Sequence, residues 1–151
     1  SNAGNYYQGD WSVAIGLNAG RTSQGHSSVA MGHVAGYDHQ GADSVAIGVG
    51  AGKNYQGNYA VAIGERAGYG NDGVQGEYAI AIGARAGYNQ QYQNSIILNA
   101  SGNNLDTASS GLFIDPIAYE ETQDATYDGL MFYNSYTKEV RYSYTLDGGA
   151  F

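Results

Sequence analysis

Four residues, Val-Ala-Ile-Gly, return at fixed intervals along the first two-thirds of the chain. Copies begin at Val13, Val29 (with Met31 in place of Ile), Val45, Val61 and Ile80, in steps of 16, 16, 16 and 19 residues. A degenerate sixth copy, Ile96-Ile97-Leu98-Asn99, begins 16 residues after the fifth. The stretches between copies are polar and carry two fixed marks. An Ala-Gly pair ends at Gly20, Gly36, Gly52, Gly68 and Gly87, and a glutamine precedes each strand motif at Gln8, Gln24, Gln40, Gln56, Gln75 and Gln91. The longer step comes from three extra residues in "GYGNDGVQG", residues 68–76, which predict an outward loop in that turn.

Within the motif Val and Ile alternate with Ala and Gly, the period of a short strand with one face for each pair. Sixteen residues hold two such strands and two turns, and repetition at this fixed period predicts a solenoid of parallel strands. Turns are expected at Ala-Gly and Gln-Gly, where glycine takes positive φ without steric cost. A coil of this size is thin, so Ala and Gly fill its inside while Val and Ile are left outside. That stripe is a large apolar patch in water. Association with identical chains in closed symmetry removes it, and three-fold symmetry suits a coil with one flat apolar face. The expected trimer core is Val13, Ile15, Val29, Met31, Val45, Ile47, Val61, Ile63, Ile80 and Ile82.

Serial copies of "SVAIGxxAG" resemble the head repeats of trimeric autotransporter adhesins, the YadA-like left-handed parallel β-roll. The resemblance covers about Tyr6–Asn99. The repeat is longer than is usual in that family and is also similar to repeats in fibre proteins of bacteriophages and large DNA viruses. The resemblance implies an all-β, left-handed, homotrimeric roll of about six 16-residue coils over residues 4–99. It further implies an extracellular place, on a virion fibre or a bacterial outer surface. Attachment there would be to a host cell-surface protein or glycan, through many weak contacts acting together. A spacer role within the fibre, without receptor binding, is the alternative. Ser1-Asn2-Ala3 reads as a tag-cleavage scar and is set aside.

From Ala100 the period is lost, and residues 100–151 are expected to form a small β cap. The pattern "SIILNASG…GLFIDPI…LMFYN…TKEVRYS" is similar to C-terminal segments that follow β-roll repeats in viral and phage fibre-like proteins. Strands are expected at Ile96–Leu98 and Leu112–Ile114, the second stopping at Pro116. A hairpin then pairs Leu130–Tyr133 with Val140–Tyr144 around a turn over Asn134–Lys138. Such a cap would cover the last rung, which otherwise offers an open edge.

Charge and composition narrow the chemistry. A formal charge of −8 disfavours nucleic acid, whose phosphates call for Lys and Arg patches. From Leu105 onward lie eight of the 14 acidic residues and two of the six basic ones, so the repeats are almost neutral. There is no cysteine for a disulfide or thiolate site, and no apolar run long enough for insertion into a membrane. No metal or cofactor is expected. His26, His33 and His39 occupy three different repeat positions, and the acidic run Asp115, Glu120, Glu121, Asp124 and Asp128 has no calcium-loop spacing. "IGLNAG", residues 15–20, fits the hexapeptide pattern of left-handed β-helix acyltransferases, the one enzyme alternative. It lacks three hexapeptides per coil and a supported catalytic histidine, so no enzymatic role is expected.

The tyrosines are the candidate binding residues. Tyr37, Tyr69 and Tyr88 follow Ala-Gly where Arg21 and Lys53 stand in other coils, and Tyr55 precedes Gln-Gly. Tyr133, Tyr136, Tyr142 and Tyr144 lie in the hairpin segment. Exposed tyrosine joins apolar area to a hydrogen-bonding tip at low entropy cost, which suits protein and carbohydrate recognition. The alternative is that these rings stack from coil to coil as ladders.

Overall fold

The computed structural model describes residues 2–117, 130–137 and 140–143, and it is all-β, with thirteen strands and no helix among these residues. The chain divides into two compact units, Ser1–Ile117 and Ala118–Phe151. The first is a parallel β-solenoid. Its long wall is a seven-stranded sheet of β2 (Val13–Ile15), β4 (Val29–Met31), β6 (Val45–Ile47), β8 (Val61–Ile63), β9 (Ile80–Ile82), β10 (Ser95–Asn99) and β11 (Gly111–Asp115). Register holds from end to end: Val13, Val29, Val45, Val61, Ile80, Ile96 and Leu112 stand one above another. The short wall is a four-stranded sheet of β1 (Tyr6–Gln8), β3 (Thr22–Gln24), β5 (Asp38–Gln40) and β7 (Asn54–Gln56).

Small side chains set how close the walls come. The central residues of the strand motif, Ala30, Ala46, Ala62 and Ala81, have no exposed surface, and neither do the Ala-Gly alanines Ala19, Ala35, Ala51, Ala67 and Ala86. Toward the C-terminal end the core widens. Ile97 takes the alanine place fully buried, and Leu105 and Phe113 pack against the same core. This is why the period fades from the sequence before it fades from the backbone. β11 pairs with β10 in parallel, 16 residues on, as a seventh rung, although its inward residue is phenylalanine rather than alanine. The boundary expected at Asn99 therefore falls inside the sheet.

The repeated glutamines are struts across the coil rather than turn residues. Gln24, Gln40, Gln56, Gln75 and Gln91 are at most 3% exposed. The Nε2 of each donates across the interior to the carbonyl of Val13, Val29, Val45, Val61 or Ile80 at 2.8–2.9 Å. Their Oε1 atoms sit against the Ala-Gly glycines: a β-carbon on Gly20, Gly36, Gly52 or Gly68 would lie 2.5–2.8 Å from that oxygen. Glycine is thus needed there twice, for space and for a φ of 51–54°. The Gln-Gly glycine has a different role from the one expected of it. A β-carbon on Gly25 would meet the Ala42 nitrogen of the next coil at 2.5 Å, so this glycine permits close stacking. The left-handed turn is taken two residues later, at Ser27, Asp43, Tyr59, Tyr78 and Asn94, with φ of 53–58°.

The three-residue insertion forms a loop over residues 70–74. Regular strands of the short wall stop at β7, and beyond it the wall continues as single bridges, Gln56 to Gln75 and Gln75 to Gln91. In the second unit, β12 (Leu130–Tyr133) and β13 (Val140–Ser143) form the antiparallel hairpin.

Candidate functional site

The outward face of the long wall is apolar along its whole length. Seven strands with two outward positions each give fourteen side chains, all Val, Ile, Leu or Met. Ten are the residues expected in a trimer core; Ile96, Leu98, Leu112 and Ile114 carry the stripe through the last two rungs. Because the residues between them, alanine in five rungs and Ile97 and Phe113 in the last two, fill the inside, these side chains face water. Ile15 and Leu112 are 54% exposed and Ile63 is 37% exposed, whereas Val29, Val45, Ile47, Val61 and Ile80 are half-buried. Six steps between seven rungs make the stripe roughly 29 Å long. Leu17 and Val49, on the turn that follows the strands, widen it with further exposed apolar surface.

The tyrosine candidates fall into distinct environments. Tyr37, Tyr69 and Tyr88 are half-buried in a ladder on one turn of the coil. Arg21 donates through Nη1 to the Tyr37 hydroxyl and lies 5.3 Å from its ring centroid. Lys53 Nζ donates to the Tyr69 hydroxyl at 2.8 Å and stands 4.7 Å from that ring, and the Tyr69 and Tyr88 rings stack at 5.2 Å. Cations and aromatic rings at the same repeat position thus hold each other from rung to rung. Tyr55 projects from the middle of β7 and is exposed, stacked at 5.0 Å on His39, whose Nδ1 lies 2.7 Å from Asp38 Oδ1.

In the hairpin, Tyr136 stands 95% exposed at the turn, where the backbone amides of Tyr136 and Thr137 donate to Asn134 Oδ1. Register sets Tyr133 opposite Val140 and Tyr142 opposite Met131. Tyr144 lies outside the described residues, as do Glu120, Glu121, Asp124 and Asp128. His26 approaches Asp43 at 3.9 Å, and among the described residues no three His, Asp or Glu side chains gather as metal ligands would.

Two aromatic features were not read from the sequence. Tyr59 and Tyr78 stack at 4.9 Å beside the edge of the apolar stripe, each about half exposed, and Trp11 holds the equivalent place in an earlier coil, 86% exposed. The signal was present: each stands two residues before the first residue of a strand motif. The other is Tyr92, exposed in a turn of the sixth coil.

Compared with models of known families, with curated proteins and with solved structures, the chain matches none.

Proposed function

We propose that this chain is the head-type repeat segment of a homotrimeric extracellular fibre, a non-enzymatic adhesion module of a virion fibre or a bacterial outer surface. It attaches to a host cell-surface protein or glycan by many weak contacts. The observation that carries the reading is the fourteen-residue apolar stripe, which contains no charged residue over seven rungs. If about a third of each side chain remains to be buried, the stripe contributes on the order of 10 kcal/mol per chain. Three chains bury three stripes while losing the free translation and rotation of only two, at about 4–15 kcal/mol each. Association of this kind is favourable, and the left-handed β-roll resemblance supplies its three-fold form. Avidity then multiplies weak contacts on three equivalent flanks.

A second reading, a spacer that sets fibre length without binding, is favoured by the ladder that pins Tyr37, Tyr69 and Tyr88. Sedimentation of the whole chain tests the first premise. The expected mass is three times the chain mass of 15.9 kDa, and Ile47→Lys, which places a charge mid-stripe, is expected to give monomer. A monomeric wild-type chain would overturn the trimer and with it the avidity mechanism. Binding of the fluorescently labelled trimer to cells separates attachment from spacing: a trimer that binds no cell type leaves the spacer.

A further inference from the structure

The repeat departs from its own pattern at two places on the outside of the coil. One is the insertion over residues 70–74. The other is Tyr92, which stands where Gly9, Gly25, Gly41, Gly57 and Gly76 stand in the preceding coils. The fold brings the two departures together around an open cleft of 580 Å³, with Gly73 and Val74 at one side, Thr107 and Ala108 at the other, and residues 90–93 between.

The cleft has a local cause. In the regular coils the turn glycine packs on the next coil's backbone, and its amide bonds that coil directly, as Gly25 N does to Gln40 O at 2.9 Å. Tyr92 carries a side chain there, and its amide donates instead to the Thr107 hydroxyl at 3.0 Å. On the opposite side the inserted loop is held in place. Asn71 N and Asp72 N donate to the carbonyls of Tyr88 and Asn89 at 3.2 and 3.3 Å, and Asn54 Nδ2 donates to Gly70 O at 3.2 Å. Asn89, beneath the loop, is fixed by Asp106, which accepts from its backbone N at 2.8 Å and its Nδ2 at 2.7 Å. Both sides of the cleft are therefore held by the protein's own hydrogen bonds.

Its chemistry is specific. Among the described residues, none that lines it is charged. Tyr92 is 48% exposed, and Gln90 and Gln93 are exposed beside it. Side-chain amides both donate and accept, as sugar hydroxyls do, and the aromatic ring of an exposed tyrosine accepts the apolar face of a pyranose. The described lining residues include no Lys or Arg to neutralise a carboxylate, sulfate or phosphate. The volume lies in the range of small-ligand sites.

We propose that this cleft binds a neutral saccharide, one site on each chain, with Tyr92 as the stacking platform and Gln90 and Gln93 as hydroxyl partners. The proposal rests on the attachment reading and gives it a ligand class. Saturation-transfer NMR on the whole chain tests it, with lactose, diacetylchitobiose and maltotriose as neutral probes and sialyllactose as the anionic comparison. Tyr92→Gly restores the residue found in the other coils, so it removes the ring at a position where the fold accepts glycine. Gln93→Ala, at an exposed position, is the second variant.

The expected result is transfer to at least one neutral probe at millimolar concentration, weakened at least about tenfold by Tyr92→Gly and reduced by Gln93→Ala. Melting temperatures of both variants should stay at the wild-type value. Absence of transfer to every neutral probe, binding indifferent to both substitutions, or preference for sialyllactose would each overturn the site. Oligomeric mass keeps the two readings apart. A trimer that binds no neutral sugar removes the cleft and leaves the fibre, and a monomer that binds one does the reverse.

Discussion

Gly36→Ala probes the link between the interior struts and the turn. The site lies in a central coil with neighbours on both sides, away from the fraying ends of a solenoid. Gly36 has φ of 52°, and left-handed backbone costs an alanine about 1–2 kcal/mol. The new methyl would lie 2.6 Å from Gln40 Oε1, so the strut must move. Moving it breaks the 2.8 Å bond from Gln40 Nε2 to Val29 O and leaves a buried carbonyl unpaired, a further cost of about 1–3 kcal/mol. The total of about 2–5 kcal/mol corresponds to a fall in Tm of about 8–20 °C.

Gln40→Ala alone is also costly, because it removes the same bond and leaves a void. The two effects overlap. In the Gln40→Ala background the methyl added at position 36 has no oxygen to displace, so Gly36→Ala should cost only its backbone share, about 1–2 kcal/mol. Urea denaturation of the four proteins, at one protein concentration, gives the coupling. The expected value is about 1–3 kcal/mol, well above the 0.5 kcal/mol or so of independent sites. Additive effects would refute the strut mechanism.

Two further predictions concern the same coils. Val34 is β-branched yet has φ of 51°, so Val34→Gly relieves left-handed strain and, after the entropy of a freer unfolded chain, should raise Tm by about 2–4 °C; a fall would contradict this. Ala46, with no exposed surface between the walls, cannot take three more carbons: Ala46→Leu should cost about 3 kcal/mol or more and lower the yield of folded protein, whereas a wild-type melting curve would mean that the walls can part.

Much of the fold could be read in the chain because one physical constraint acts at every rung. A wall that admits only methyl groups must spell alanine at the same place each time, and Ala30, Ala46, Ala62 and Ala81 do so. The hairpin was equally legible, since Leu130–Tyr133 and Val140–Ser143 flank a polar turn. The seventh rung was hidden because burial there is shared by larger groups: once Phe113 replaces alanine, the local pattern no longer resembles its predecessors. The glutamine struts were hidden for a different reason. A glutamine beside glycine has the composition of a surface turn, and only the backbone path reveals that its side chain crosses the interior to a carbonyl eleven positions back.

The candidate surfaces divide along the same line. The Val and Ile stripe follows from strand alternation, so its members could be named in advance. Contacts between tyrosines and cations depend on which turn positions lie one above another and how far their side chains lean, which a linear pattern specifies only in part. The cleft beside Tyr92 arises from two irregularities far apart in the repeat, and neither marks a site until the coils are stacked.

The pairing of rung upon rung has a mechanical consequence. Hydrogen bonds between successive strands run along the stacking direction, so tension along that direction loads the rungs in series rather than together. The sheet then yields at its weakest rung, under a force that does not grow with the number of coils. Each coil that peels away turns a rise of about 4.8 Å into a tether of roughly 50 Å. A stack of this kind under load lengthens in steps and dissipates energy at each one, so a sudden pull would be absorbed as extension before it reached whatever the far end holds.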